Sequence, residues 1–549
     1  MDFRRSILWV IFTISVIFLY NSWLRSHGES GLFGEPAQST ASAPAPASSG
    51  VPSALASSSS GGAPVVGHAA AAPPATVTDV RTDLLDLKFS SRGASVVYAR
   101  LLKYRAHGDD SKPMLLFDDT AGHTYVAQSG LVGGDFPNHE TPMTLLPGPL
   151  DMGDAKTLTV RFQSAVVGGL QLTRSYTFHR GSYAIDVQDS VLNKGTVAVQ
   201  PQLYLQLVRD GEDPSKGTHF YHTFYGAALY DSASKFQKFE FKDFHDQPKT
   251  IHATDGWAAI LQQYFATAWL PQPYHGPREF YLRKLPGDLY ATGVMLRLPR
   301  LAPGAQEQAE QRLFVGPELQ GQVQSLAPGF ELVRDYGWVT IIARPLFWVL
   351  AQIHRLLGNW GWSIIGLTVL LKLLFFPLTA ASYRSMARMK AVGPRLNALR
   401  ERFKDDPQAM NSAMVEMYRK EKINPLGGCL PVVIQIPVFI ALYWVLLSSV
   451  ELRGAPWLGW IHDLSAKDPF YVLPLVMTAT SFLQVRLNPT PPDPMQARLM
   501  WIMPLAFSVM FFFFPAGLVL YWLTNNIFSI AQQWFINRKM GVPEFSSAK

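Results

Sequence analysis

Three regimes of hydrophobic patterning follow one another along the chain. Ile7 to Leu24 (ILWVIFTISVIFLYNSWL) is apolar for about the 18 residues that a spanning helix needs, and Arg4 and Arg5 precede it. Residues 1–25 therefore read as an N-terminal signal anchor that starts on the inner side. A cleaved signal peptide would show a small-x-small site close behind, where Arg25, His27 and Glu29 stand instead. Residues 26–76 collapse to Ala, Ser, Pro and Gly, a composition that cannot bury enough apolar area to offset its ordering entropy, and read as a disordered linker.

Across residues 77–317 the period becomes two, as in Leu85, Leu87 and Phe89 or Leu203, Leu205 and Leu207, which places those side chains on one face of a strand. Leu170 to Phe178, Arg180-Gly181-Ser182 and Tyr183 to Val191 read as a hairpin with Tyr183, Ile185 and Val187 turned inward. The pattern predicts an all-β sandwich of two sheets, lying across the membrane from the N-terminus.

Beyond residue 317 the apolar runs reach helical length. Trp338 to Leu357 is broken by Arg344-Pro345, Gln352, His354 and Arg355, so residues 318–358 read as a connector and an amphipathic helix in the membrane interface. Residues 359–381, 429–449, 470–486, 497–514 and 516–537 read as spans, the last two forming a tight hairpin at Pro515-Ala516. The segment 382–428 carries ten Lys or Arg against five acids, whereas Glu451 to Pro469 carries two against three. The first is therefore inside and the loop 450–469 outside. Six spans result, with the loop 487–496, the tail 538–549 and both termini cytoplasmic. Within 382–428, Met386, Met389 and Leu396 recur at helical spacing. Asp406-Pro407 caps a second helix, and Asn424 to Gly428 ends it. This is a basic helical hairpin bearing Arg384, Arg388, Arg395, Arg400, Arg419 and Lys420, and such a run also serves simply as a solvated positive-inside flank.

Composition agrees with a chain that is partly in lipid: 48% of residues are hydrophobic and only 16% charged, against about 25% in soluble domains. The 48 Lys and Arg exceed the 41 Asp and Glu by 7, too small an excess to make nucleic acid the partner. The single cysteine, Cys429, excludes an intrachain disulfide, a Cys-x-x-Cys pair and a four-cysteine zinc site, and reads as a small packing residue. No phosphate loop is present, and His139-Glu140 is followed by Met143 where a zinc-protease motif needs histidine. His219 and His222 carry too little spacing information to define a metal site.

Lys372 is the residue that patterning alone does not accommodate. It stands inside WSIIGLTVLLKLLFFPL, where a charge costs about 2.5 to 3.5 kcal/mol and normally faces protein or water. The basic flank towards which it could snorkel is about 15 Å of helix away. Thr368 lies one turn off on the same face. In the last span Trp522, Asn525, Ser529 and Gln532 form a stripe at spacings of three and four, and Gln435 sits inside the third span. No carboxylate occurs inside any span, so a positive hydrated groove is the physical expectation, with ordinary interhelical hydrogen bonding as its rival.

At these residues the chain resembles the YidC family of membrane protein insertases, with its mitochondrial Oxa-type and chloroplast Albino-type members. The stretches that carry the resemblance are VRTDLLDLKF, AQSGL, GWAAILQQYFATAWLP, GNWGWSII, NPLGGCLPVVIQIPVFIALYW, SVELRGAPWLGWIHDLSAKDP and FPAGLVLYWLTNN. They cover nearly the whole chain outside the linker, and the large β domain matches the Gram-negative branch. The resemblance implies a periplasmic sugar-mutarotase-like sandwich followed by a five-helix insertase core, around a groove open to cytoplasm and lipid. It further implies an inner-membrane chaperone that is not an enzyme and needs no cofactor. Its partners would be nascent membrane proteins, the Sec translocon and lipid. Contact with the ribosome or signal recognition machinery would be weaker because the tail after Arg538 is short. Relatives usually carry arginine at the place of Lys372 and often Tyr-Tyr at Tyr521-Trp522. The substrate groove is expected at Lys372, Thr368, Gln435, Trp522, Asn525, Ser529 and Gln532, with the basic hairpin as a receiving surface, and the β domain is expected to stand apart from both. A small-solute transporter would show inverted repeats and a paired midplane site, and none is found. A sugar-binding or sugar-active periplasmic protein would need a His and carboxylate constellation for which there is no motif.

Overall fold

The computed structural model describes residues 51–52, 75–106, 109–120, 122–212, 224–272, 276–334, 336, 339–403, 406–421, 430–488 and 494–541. The expected first span, most of the linker, His219, His222, Asn424 to Cys429 and the end of the tail lie outside the described residues.

The β region forms two nine-stranded antiparallel sheets. One runs from the strand Val77–Arg81 to the strand Lys249–Ala253, the other from Lys235–Phe239 to Met143–Leu145. Alternation selects their inner faces: Leu85, Leu87 and Phe89 and the triplet Leu203, Leu205 and Leu207 are all buried in one core. The expected hairpin is present as Leu170–His179 and Ala184–Asn193, with Leu170 opposite Asn193 and Phe178 opposite Ile185. Gly181 turns it at φ 78°, a left-handed conformation that strains other side chains.

One feature of this core is polar. Arg174 and Asp189, opposite each other in that hairpin, are both fully buried, with Arg174 Nε donating to Asp189 Oδ1 at 2.6 Å. Arg174 Nη1 also donates to Gly93 O at 2.7 Å, and Gln311 Nε2 donates to Asp189 Oδ2 at 2.5 Å, so the pair ties one sheet to the other. Buried charges of this kind persist only when their hydrogen bonding is largely met.

Nine helices of ten residues or more follow among the described residues: α1 (Thr340–Leu357), α2 (Trp360–Leu374), α3 (Phe376–Ala391), α4 (Gly393–Arg402), α5 (Pro407–Lys420), α6 (Leu430–Ser448), α7 (Val472–Leu487), α8 (Pro494–Phe511) and α9 (Ala516–Lys539). In α1, Ala343, Phe347 and Leu350 pack inward while Ile341, Trp348 and Leu356 stay exposed, an apolar outer face on an amphipathic helix. Asn359 caps α2 by accepting from Trp362 N. At Gly361 a Cβ would come within 2.2 Å of the Trp457 ring, so only glycine lets the loop after α6 close on the start of α2.

The helix expected to run through residue 381 instead breaks at Phe375, where α2 and α3 meet at 67°. Pro377 is tolerated there because it falls in the first turn of α3. Among the described residues no single helix is long and apolar enough by itself to cross a membrane. The bent pair α2 and α3 passes together, and Gln435–Ser448 and Val472–Leu487 are shorter apolar helices.

The β domain contacts the loop that follows α6. Val450, just past α6, is buried in the β-domain core, and Arg453 Nη2 donates to Arg105 O at 2.6 Å. The loop after α6 thus carries apolar residues that face two bodies, Val450 in the β-domain core and Leu452 in the helical core.

Candidate functional site

Lys372 sits in the last turn of α2, three residues before the chain bends at Phe375. Its Nζ donates to Ser529 Oγ on α9 at 2.6 Å. The partner is a hydroxyl, so the positive charge is oriented without being neutralised. Ser529 Oγ in turn donates to Asn525 O at 2.8 Å, and Gln435 Nε2 on α6 donates to Asn525 Oδ1 at 3.4 Å. One turn further along α9, Gln532 Nε2 donates to Thr379 Oγ1 on α3 at 2.9 Å. The structure thus brings five of the seven expected groove residues into one polar seam: Lys372, Gln435, Asn525, Ser529 and Gln532.

The other two lie elsewhere. Thr368 is buried, and its hydroxyl donates to Ile364 O in its own helix at 2.7 Å, which spends it locally. Trp522 packs among rings, edge-on to Phe511 at 4.8 Å between centroids and tilted against Phe514 at 5.8 Å.

A cleft of about 660 Å³ opens between α6, α7, α8 and α9. Met477, Met510, Phe511 and Trp522 supply an apolar wall and Ser481, Asn525 and Asn526 a polar one. Lys372 does not line it; Asn525 belongs to both cleft and seam. Asn526 Nδ2 donates to Ser481 Oγ at 3.1 Å, and Gln533 Nε2 donates to Asn488 Oδ1 at 3.0 Å, which ties α9 to α7. Sequence reasoning missed Thr379 and the α7 residues. Ser481, Gln484 and Asn488 recur at spacings of three and four, the same signal that exposed the stripe on α9. Flexible methionines beside a few fixed polar groups suit a surface that receives apolar segments of varied shape.

In the basic hairpin, Asp406 Oδ1 accepts from Gln408 N and Ala409 N, each at 3.0 Å, at the expected cap of α5. Arg395 pairs with Glu421 at 2.7 Å and Lys420 with Glu416 at 2.8 Å, both in largely exposed settings where such pairs are worth little. Arg384, Arg388 and Arg419 are exposed, and Arg400 lies on α4. The described residues contain no group of three or more His, Cys, Asp or Glu able to hold a metal ion.

Comparison with known proteins follows the same division. The family profile described as YidC periplasmic domain matches residues 77–349, and that described as 60Kd inner membrane protein matches 352–543. A protein named membrane protein insertase YidC from Cupriavidus necator is 52% identical over 551 residues, covering 98% of each chain. One of the same name from Ralstonia nicotianae is 51% identical over 556 residues and covers all of both. A solved structure of an active YidC insertase, with its first transmembrane domain resolved, covers 84% of this chain and 94% of its own at 18% identity and a TM-score of 0.37. A putative aldose 1-epimerase from Escherichia coli covers 44% of this chain at 14% identity and a TM-score of 0.30.

Proposed function

The chain belongs to the YidC family of membrane protein insertases, an inner-membrane family that is not one of enzymes, and from that premise we propose how its residues carry insertion. Lys372 is the electrostatic receptor of the groove. Its charge, held by Ser529 and facing no carboxylate on α2 or α9, attracts the acidic or polar residues of a nascent chain. Water and the amide groups of Gln435, Asn525 and Gln532 lower the desolvation cost of moving a short polar tail inward. The apolar segment of the substrate meanwhile passes along the Met-rich cleft into lipid, driven by burial worth about 25 cal/mol per Å². The basic hairpin of α3 to α5 receives the substrate or its targeting machinery, and the Sec translocon is a second partner.

The proposal includes six spans with both termini cytoplasmic, supported by ten basic residues against five acidic ones in the inner segment. The observation that carries the whole reading is the bond from Lys372 to an uncharged partner at the bend of α2 and α3. The test is insertion into proteoliposomes of a substrate pair that differs only in the charge of the translocated tail. Lys372→Ala is expected to impair the acidic-tailed member several-fold more than the neutral one, and Lys372→Arg to retain activity, since charge and not proton exchange does the work. Equal losses for both members reject electrostatic recruitment.

A further inference from the structure

Three stretches that are remote in sequence converge on the outer end of α6. Arg334 ends the connector that leaves the β domain, and its side chain is 3% exposed. Nη1 donates to Glu451 Oε1 at 2.8 Å and Nη2 to Glu451 Oε2 at 2.9 Å, a two-pronged fork on one carboxylate. Nη2 also donates to Ser449 Oγ at 2.8 Å, and the Phe347 ring of α1 lies 3.9 Å from the guanidinium carbon. Ser449 Oγ donates onward to Val445 O, so a cation is relayed to the carbonyl end of α6, where the helix dipole favours it.

The residues around Glu451 face different bodies. Val450 packs into the β-domain core, Leu452 into the helical core, and the Arg453 guanidinium lies 5.2 Å from the Phe265 ring. Helix α6 has a reason to need an outer anchor. Pro437 lies within it and removes one rung of its hydrogen-bond ladder, so the helix is not held straight by its own backbone alone.

We propose that Arg334 and Glu451 form a positioning clamp that fixes the outer end of α6 against α1 and the β domain and thereby sets the opening of the groove at Gln435. Gln435 stands fourteen positions, about 20 Å of helix, from Ser449. A tilt of α6 at its outer end is therefore felt where Gln435 meets Asn525.

The test uses the full chain in a Cys429→Ser background, with Gln435→Cys and Asn525→Cys as a disulfide reporter in proteoliposomes, and insertion assayed in the chain without the reporter pair. Arg334→Gln and Glu451→Gln are each expected to lower the reporter's cross-linking yield several-fold and to slow insertion of acidic and neutral-tailed substrates alike. The exchange Arg334→Glu with Glu451→Arg is expected to restore both to within about twofold. Yield unchanged in either single variant, or equal loss in the singles and the exchange, overturns the clamp. Arg334→Lys keeps the charge and loses the fork, so it gives an intermediate yield even if the Gln variants fail to accumulate; a yield equal to that of the parent also overturns it. Failure of the Lys372 reading would show as equal losses for acidic and neutral tails in Lys372→Ala with the reporter unaffected, a distinct outcome.

Discussion

His139 shows how far a single side chain can depart from what its neighbours in sequence suggest. Beside Glu140 it looks like half of a metal motif, yet it is buried, and its Nδ1 lies 2.6 Å from the hydroxyl of the fully buried Tyr204. Burial, followed by the charges of Arg283 and Arg174, pushes its pKa down from 6.5 to about 4. Burial likewise pushes the Tyr204 hydroxyl up. The sign follows: between these limits the unfolded chain binds a proton at His139 that the folded chain refuses. The stability associated with neutral His139 is therefore complete above about pH 6.5 and lost as pH falls towards 4, at no more than about 1.4 kcal/mol per pH unit. His139→Gln removes that slope. Pulse proteolysis of the intact protein at pH 6.5 and 4.5 should show the β domain losing more stability in the parent than in the variant; parallel losses would refute the assignment. Arg174 and Asp189 were equally illegible as a pair, because two charged residues fifteen positions apart reveal nothing until hairpin register sets them face to face.

At the scale of elements, legibility follows periodicity. The hairpin around Gly181 and the cap at Asp406 rest on neighbouring residues, and both form where the pattern puts them. The stripe on α9 was visible because one helix face carries it, whereas the bend at Phe375 was not, since LLKLLFFPL is as apolar through the break as on either side. That bend brings Thr379 on α3 to Gln532, a partner no spacing rule could pair with it. The basic hairpin can be tested as a unit. Its ion pairs are exposed and weak, so its exposed cations remain available to an acidic partner. Replacing Arg395 to Lys420 with a short Gly-Ser bridge is expected to reduce insertion several-fold while the helical core around Lys372 keeps its proteolytic resistance. Undiminished insertion would return these charges to the role of a solvated flank.

For the whole molecule, what the sequence conceals is contact between distant stretches. Arg334 and Glu451 are separated by 117 positions and Arg105 and Arg453 by 348, so neither pairing leaves a periodic trace, although each residue type is ordinary in its own segment. What charge bias does predict is sidedness, and the contacts sharpen that prediction. The loop after α6 binds the β domain through Val450 and Arg453, so Ala466 in that loop and Thr120 in the domain must lie on one side of the membrane. Asp406, between α4 and α5 in the segment with ten basic residues, is expected on the other. Single cysteines at Thr120, Ala466 and Asp406 in a Cys429→Ser background test this with an impermeant thiol reagent added outside spheroplasts. Positions 120 and 466 should label before lysis and 406 only after it. Labelling of 406 from outside would remove the six-span arrangement. Opposite behaviour of 120 and 466 would contradict the packing of Val450 and with it the frame that the Arg334 clamp requires, because no residue can be buried in a domain on the far side of the bilayer.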